Sequence, residues 1–191
     1  MGVHGGDAVM NKAVFLDRDG VLNLAIVRDG KPYSPQTLDE LELAPGAAKA
    51  LDELKALGFK LLVVTNQPDV AKGKTTREKV EELHRKLASE LPVDEIFVCY
   101  HKDGDGCECR KPKPGMLLAG ARKYNVDMNA SFMVGDRWRD VEAGQNAGCR
   151  TIFVDGGYEE VQPTRPPDAH VHSLREAADW IVAECRRGVA R

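Results

Sequence analysis

The chain has 191 residues, 42% hydrophobic and 30% charged, which is the composition of an ordinary globular protein with one substantial core. A formal net charge of −3 gives no electrostatic footing for nucleic acid, and no apolar run is long enough to span a bilayer. Five cysteines and no signal-peptide hydrophobic region point to thiols or metal ligands in a cytoplasmic setting, not to disulfides.

Met1 to Lys12 is glycine-rich and expected to be a loose leader, with residues 13–191 forming one domain. The apolar run Ala13 to Asp17 predicts a buried strand that ends in Asp17-Arg18-Asp19-Gly20. Side chains two apart on an extended chain point the same way, so Asp17 and Asp19 address one small centre. Gly20 lets the backbone turn away sharply. Pro45 opens a helix whose face is Leu51, Leu54 and Leu57, and Gly58 stops it. A strand from Lys60 to Thr65 leads into Asn66-Gln67. Thr75 and Glu78 then read as a capping box ahead of Val80, Leu83 and Leu87. Glu95 to Cys99 is the next strand, and Pro114 opens a helix bearing Leu117, Leu118 and Ala121. The strand Phe132 to Asp136 precedes a helix from Trp138 to Ala147, and Gly148 closes it. A strand from Arg150 to Asp155, a proline-rich loop from Gln162 to Pro167, and a helix capped by Ser173 and Glu176 complete the chain.

Strands alternating with helices predict an α/β fold, a doubly wound, Rossmann-like parallel sheet covered on both faces. Ligands in that architecture bind beyond the carboxyl ends of the strands. Asp17 and Asp19, Thr65 and Asn66, and Asp136 all fall there. Thr65-Asn66-Gln67 offers a hydroxyl and N–H groups for a phosphoryl oxygen, or simple strand-end capping. Arg110-Lys111-Pro112-Lys113 puts three cations before a helix start, a mismatch that an anionic ligand would resolve. Asp136 and Asp140 can complete a Mg²⁺ site with Asp17, since Mg²⁺ takes oxygen ligands and few protein carboxylates.

Cys99-Tyr100-His101 and Cys107-Glu108-Cys109 bracket a short loop containing Gly104 and Gly106. One histidine and three thiolates make a closed tetrahedral Zn²⁺ set, hence a structural site. Cys149 and Cys185 lie in apolar patterns and are expected in the core. His4, His84, His170 and His172 are expected at the surface.

The ordered set Asp17-x-Asp19-Gly20, Thr65-Asn66-Gln67, Lys111 and Gly135-Asp136-x-x-x-Asp140 resembles the four motifs of the haloacid dehalogenase superfamily. That resemblance implies a phosphatase with a minimal cap, in which Asp17 is the nucleophile and Asp19 the acid and base. Thr65 and Lys111 would stabilise the phosphoryl group. Asp17, the main-chain carbonyl of Asp19, and Asp136 would hold Mg²⁺. The run through Cys109-Arg110-Lys111-Pro112 resembles the D,D-heptose 1,7-bisphosphate phosphatases and the related histidinol-phosphate phosphatases. Arg28 in the substrate-facing loop, Asn66, Gln67, Arg110 and Arg137 would then meet the sugar or its distal phosphate. The expected partner is a small phosphorylated metabolite, with no nucleic acid, no membrane and a monomeric chain. Histidinol phosphate is the competing substrate. A phospho-accepting, receiver-like signalling domain is the competing class, against which Asp19 and the zinc loop argue.

Overall fold

The computed structural model describes residues 10–189, apart from the side chains of residues 188 and 189. The expected leader falls outside those residues as far as Val9, but its inner end does not. Asn11 bridges to Val126 and Lys12 already belongs to the first strand. The elements in chain order are β1 (Lys12–Leu16), β2 (Ile26–Arg28), β3 (Lys31–Tyr33), α1 (Ala47–Ala56), β4 (Phe59–Asn66), α2 (Arg77–Glu90) and β5 (Glu95–Cys99). They continue with α3 (Gly115–Tyr124), β6 (Phe132–Gly135), α4 (Trp138–Ala147), β7 (Arg150–Val154), β8 (Ala169–Val171) and α5 (Leu174–Val189).

Six strands form one sheet in the order β5-β4-β1-β6-β7-β8, every pair parallel. β1 sits where the winding reverses: β4 and β5 extend one way, and β6, β7 and β8 extend the other. Crevices open at such a reversal beyond the carboxyl ends of the strands. β1, β4, β6 and β7 carry mostly buried apolar residues because both faces of the sheet are covered there. Val14 and Leu16 of β1 join Leu61 and Val63 of β4 in the core layer under α1 and α5. Ala13, Phe15, Leu62 and Val64 point the other way, into the layer holding Met116 of α3 and Ala143 of α4. The alternation of strand side chains thus builds two cores from one set of strands.

Three departures from the sequence reading have physical causes. β8 is only three residues long and follows the proline-rich loop, too short for a visible period. The β2–β3 hairpin turns at Asp29-Gly30, with Asp29 at φ 49° and Gly30 at φ 70°, and stands apart from the main sheet. The α2 cap is Thr76, whose side chain accepts from the Lys79 amide, one residue later than the Thr75/Glu78 box.

Candidate active site

β1 delivers Asp17 to the base of a cavity of about 280 Å³, whose walls include Thr65's neighbours Asn66 and Gln67, together with Lys111, Asp136 and Arg137. Gly20 follows at φ 83°, and a Cβ there would stand 1.9 Å from an Asp136 carboxylate oxygen. Only glycine fits both demands. Gly135 at the end of β6 is equally constrained, because a Cβ would lie 2.1 Å from that of Asp140.

Lys111 is 2% exposed, and its ammonium lies 2.6 Å from Asp17 and 2.6 Å from Asp140. Its third proton goes to the Val64 carbonyl at 2.7 Å. Burial alone would push this amine down, but the Asp140 and Asp17 charges win and raise it. Asn66 clamps the Lys111 backbone from both sides, donating to its carbonyl and accepting from its amide, each at 3.2 Å. Asp17 is pushed up to about 7, first by burial and then by Asp140 and Asp19, with Lys111 opposing.

Asp17, Asp136 and Asp140 bring carboxylate oxygens within 4.8 Å of one another. Asp140 is committed to Lys111 and, through its other oxygen, to the Arg137 amide at the start of α4. Asp136 is different. It is 2% exposed, and neither oxygen has a hydrogen-bond partner among the described residues. Burial and the charges of Asp17 and Asp140 raise its pKa well above the ordinary carboxylate range. Two orphaned oxygens beside a second carboxylate are what a hard, oxygen-seeking cation would satisfy.

Asp19 lines the same cavity but is not part of that close carboxylate group. Arg18 grips it through Nε and Nη2 at 3.0 and 2.9 Å, and Asn23, Ser34 and Gln67 add donors at 3.0, 2.7 and 3.0 Å. Burial pushes its pKa up, but Arg18 and these donors outweigh it and the net shift is downward. Any part Asp19 takes in holding a cation would fall to its main-chain carbonyl. Thr65 is buried behind the cavity wall, and its hydroxyl accepts from Gln67 at 2.9 Å.

The cations before α3 are already matched by carboxylates, so the helix-start mismatch does not itself require an anionic ligand. Arg110 forks onto Asp103 at 3.0 and 3.2 Å, Lys113 meets Glu108 at 2.8 Å, and Lys111 holds Asp17 and Asp140. Arg110 holds the Asp103 carboxyl well below its usual range, helped by Arg139. Arg137 lines the cavity while pairing with Glu160. Arg28 does not line the cavity. It is exposed on β2 and lies over the Tyr33 ring, 5.8 Å from its centre.

Cys99, His101, Cys107 and Cys109 converge as expected, with donor atoms within 4.8 Å of one another. Cys99 Sγ lies 3.8 Å from Cys107 Sγ and 3.6 Å from His101 Nδ1. Zinc–sulfur bonds of ~2.3 Å in a tetrahedron set sulfurs ~3.8 Å apart, which Cys99 and Cys107 match, whereas Cys109 Sγ stands closer to Cys99 Sγ, at 3.0 Å, and would move outward on a bound ion. Burial pushes the Cys99 and Cys109 thiols up, with Cys109 adding to it at Cys99 and Cys107 at Cys109. A bound cation would reverse that by favouring the thiolates.

His84 corrects the surface expectation: it is 4% exposed and its ring Nε2 lies 2.9 Å from Arg18 Nη1. Its place between Leu83 and Leu87, on the same stripe as Val80, is the period-3.6 signal that marks it as buried. His170 and His172 are exposed as expected, whereas His4 lies outside the described residues. Cys149 is buried and Cys185 half-buried. Tyr158 also borders the site, its hydroxyl 3.0 Å from where a Gly20 Cβ would stand, and no sequence pattern marked it.

A profile of haloacid dehalogenase-like hydrolases matches residues 26–148. The chain is 39% identical over 160 residues to the D-glycero-β-D-manno-heptose-1,7-bisphosphate 7-phosphatase of Pasteurella multocida, covering 78% of this chain and 84% of that protein. The enzyme of the same name from Escherichia coli K12 is 36% identical over 184 residues, 89% and 87% of the two chains. The crystal structure of D,D-heptose 1,7-bisphosphate phosphatase from B. bronchiseptica, complexed with magnesium and phosphate, is similar in fold. Its TM-score is 0.73 at 32% identity, covering 91% of this chain and 99% of that one.

Proposed function

The chain belongs to the haloacid dehalogenase-like hydrolase family, and from that membership we propose that it is a phosphatase that removes the 7-phosphate of D-glycero-D-manno-heptose 1,7-bisphosphate. The observation that carries the reading is the buried Asp17–Lys111 pair beside Asp19 and the orphaned Asp136, at the reversal point of the sheet. The heptose substrate, and with it a place in lipopolysaccharide heptose synthesis, rests on the similarity to the named relatives. The phosphatase domain takes in Asn11 and Lys12 as well as the residues that follow, and acts as a monomer on a small phosphorylated metabolite. No helix among the described residues is long and apolar enough to cross a membrane.

An Asp17 oxygen attacks phosphorus as the bond to the sugar oxygen breaks, and Asp19 gives that oxygen its proton. Asp19 rests as a carboxylate, so it must first gain a proton, which an ester bound as its monoanion can bring, since phosphate loses its second proton near pH ~6. Water then attacks phospho-Asp17 and yields its proton to Asp19, which frees inorganic phosphate and restores Asp17. Lys111 and the Thr65 hydroxyl stabilise charge on the phosphoryl oxygens. Asp17, Asp136 and the Asp19 main-chain carbonyl would hold Mg²⁺, which supplies charge neutralisation at the phosphoryl group. On the cavity wall Asn66 keeps Lys111 in place and Gln67 steadies Asp19 and Thr65, so both shape the substrate's surroundings. Arg110 and Arg137, both on the cavity wall, are the cations we assign to a second phosphate.

A substrate panel tests the assignment. Heptose 1,7-bisphosphate should exceed histidinol phosphate in kcat/KM by at least ~10²-fold, about 2.7 kcal/mol of transition-state discrimination. Preference for histidinol phosphate would replace the heptose reading.

A pH test addresses the cation. Asp17 has a folded pKa of about 7 against an ordinary 3.8, so the folded chain retains a proton the unfolded chain has lost. That stabilisation is complete below 3.8 and disappears as pH rises through 7. In chelator, Tm should therefore fall by a few degrees between pH 5.5 and 8, and Mg²⁺ should raise Tm more at pH 8 than at 5.5. A Mg²⁺ effect that is equal at both pH values would count against a cation on Asp17.

For the Cys99, His101, Cys107 and Cys109 cluster we propose structural zinc. Purified protein should carry about one zinc per chain, and Cys109→Ser should release it. Activity should then fall ~10-fold or more as Arg110 and Lys111, the next two residues, lose their anchor. Elemental analysis that finds no zinc in protein prepared without chelator would remove the site.

A further inference from the structure

We propose that His84, on α2, is a positioning residue for the acid–base carboxylate of Asp19, acting through the buried guanidinium of Arg18. The proposal rests on Asp19 serving both proton transfers, as described above.

Arg18 is 0% exposed, so its donors must be met inside the protein. Nε and Nη2 make the fork to the two oxygens of Asp19, at 3.0 and 2.9 Å. Nη1 has one described side-chain partner, His84 Nε2 at 2.9 Å. A guanidinium has no lone pair to offer, so the imidazole nitrogen must accept. His84 is therefore neutral, with its proton on Nδ1. Two features agree with that tautomer. Nδ1 makes no hydrogen bond among the described residues, but the anion facing it is the Glu81 carboxylate at 3.8 Å on the same helix, and the Tyr100 hydroxyl donates to the other Glu81 oxygen. Burial and the Arg18 charge also pull the His84 pKa down to about 4.

The consequence is mechanical. Fork geometry fixes the plane of both groups, so the orientation of the Asp19 carboxylate is tied to that of Arg18. Without an acceptor at His84, Nη1 would be left with an unmet donor in a dry site. The guanidinium would turn to find a partner and take the fork with it. Asn23, Ser34 and Gln67 would still hold Asp19 nearby but would not set its angle to the reacting oxygen. Proton transfer depends on that angle.

Three variants and two leaving groups test this. The Oε1 of Gln reaches the place of the imidazole Nε2 and can accept from Arg18, whereas Asn is too short. kcat/KM reports the steps up to departure of the alcohol, in which a sugar alkoxide needs the Asp19 proton and p-nitrophenolate does not. His84→Ala and His84→Asn should lower kcat/KM for the sugar phosphate ~10-fold or more, while p-nitrophenyl phosphate changes ~2-fold or less. His84→Gln should return the sugar phosphate to within ~2-fold of the parent. If His84→Ala fails to fold, the Asn and Gln pair decides alone. Equal losses on both leaving groups, or Gln no better than Asn, would overturn the proposal and leave His84 as a packing residue. A parent chain that hydrolyses no phosphomonoester would instead overturn the functional reading, and this inference with it.

Discussion

Asp17→Asn is expected to abolish turnover, by ~10⁵-fold or more, while the protein stays folded. An enzyme that loses its nucleophile keeps only what binding and oriented dipoles provide. The amide has the shape of the carboxylate but no charge with which to attack phosphorus, and it cannot carry the phosphoryl group. The fold should tolerate the change because Asp17 is held by its backbone as well. Its amide donates to the Val134 carbonyl at 2.9 Å, and β1 pairs with β4 along its whole length and with β6 from Val14 to Leu16. The substitution also removes one of three crowded carboxylates, which offsets the lost pairing with Lys111. Circular dichroism and Tm near those of the parent, with no phosphate release, is the expected pair of results. Wild-type turnover by Asp17→Asn would end the covalent mechanism.

Lys111→Met is expected to damage both activity and stability. The ammonium lies between Asp17 and Asp140, and no other cation among the described residues pairs with either. Its removal leaves three buried carboxylates without their counter-charge and orphans the Val64 carbonyl. Breaking a buried pair on one side costs about 3–5 kcal/mol. That figure should shrink at low pH, where Asp17 and Asp136 take up protons. The catalytic loss should be ~10²–10³-fold in kcat, the size expected for one preorganised stabiliser of developing charge. Denaturant unfolding at pH 5 and pH 8 checks the first part, since a destabilisation identical at both would contradict the charge argument. Unchanged kcat would remove Lys111 from the chemistry.

The sheet and the carboxylate set were legible because both depend on short-range signals. Strands buried on two faces show as apolar runs, and the chemical residues stand at their ends, as Asp17, Thr65 and Asp136 do. The cysteine–histidine cluster was legible for a different reason: its ligands lie within eleven consecutive residues. What escaped depends on distance in the sequence. Arg18 looked like a spacer between two aspartates, and its partner His84 lies 66 positions away. The neutralisation of Arg110 by Asp103 follows from how one loop folds back, which no period announces. Arg28 was assigned from its place in a loop, but it sits beside the Asp29-Gly30 turn at the tip of a hairpin that contributes only Pro32 and Tyr33 of β3 to the cavity wall.

The central place of β1 has a consequence for how the chain acquires its shape. β1, the first strand among the described residues, needs neighbours from both halves of the fold. Ala13 bonds to Ser131, 118 positions later, and Lys111 reaches back 94 positions to Asp17. Contacts this remote are slow to form, since the entropy of closing the intervening loops comes before any gain. β1 can dock on β4 early, but it stays an open edge until β6 arrives. Until β6 has been made, a growing chain therefore displays one open edge of an apolar strand, the kind of edge on which aggregation starts. Chaperone demand and misfolding should be concentrated in that interval, and substitutions that slow the docking of β6 should reduce yield before they alter the finished enzyme.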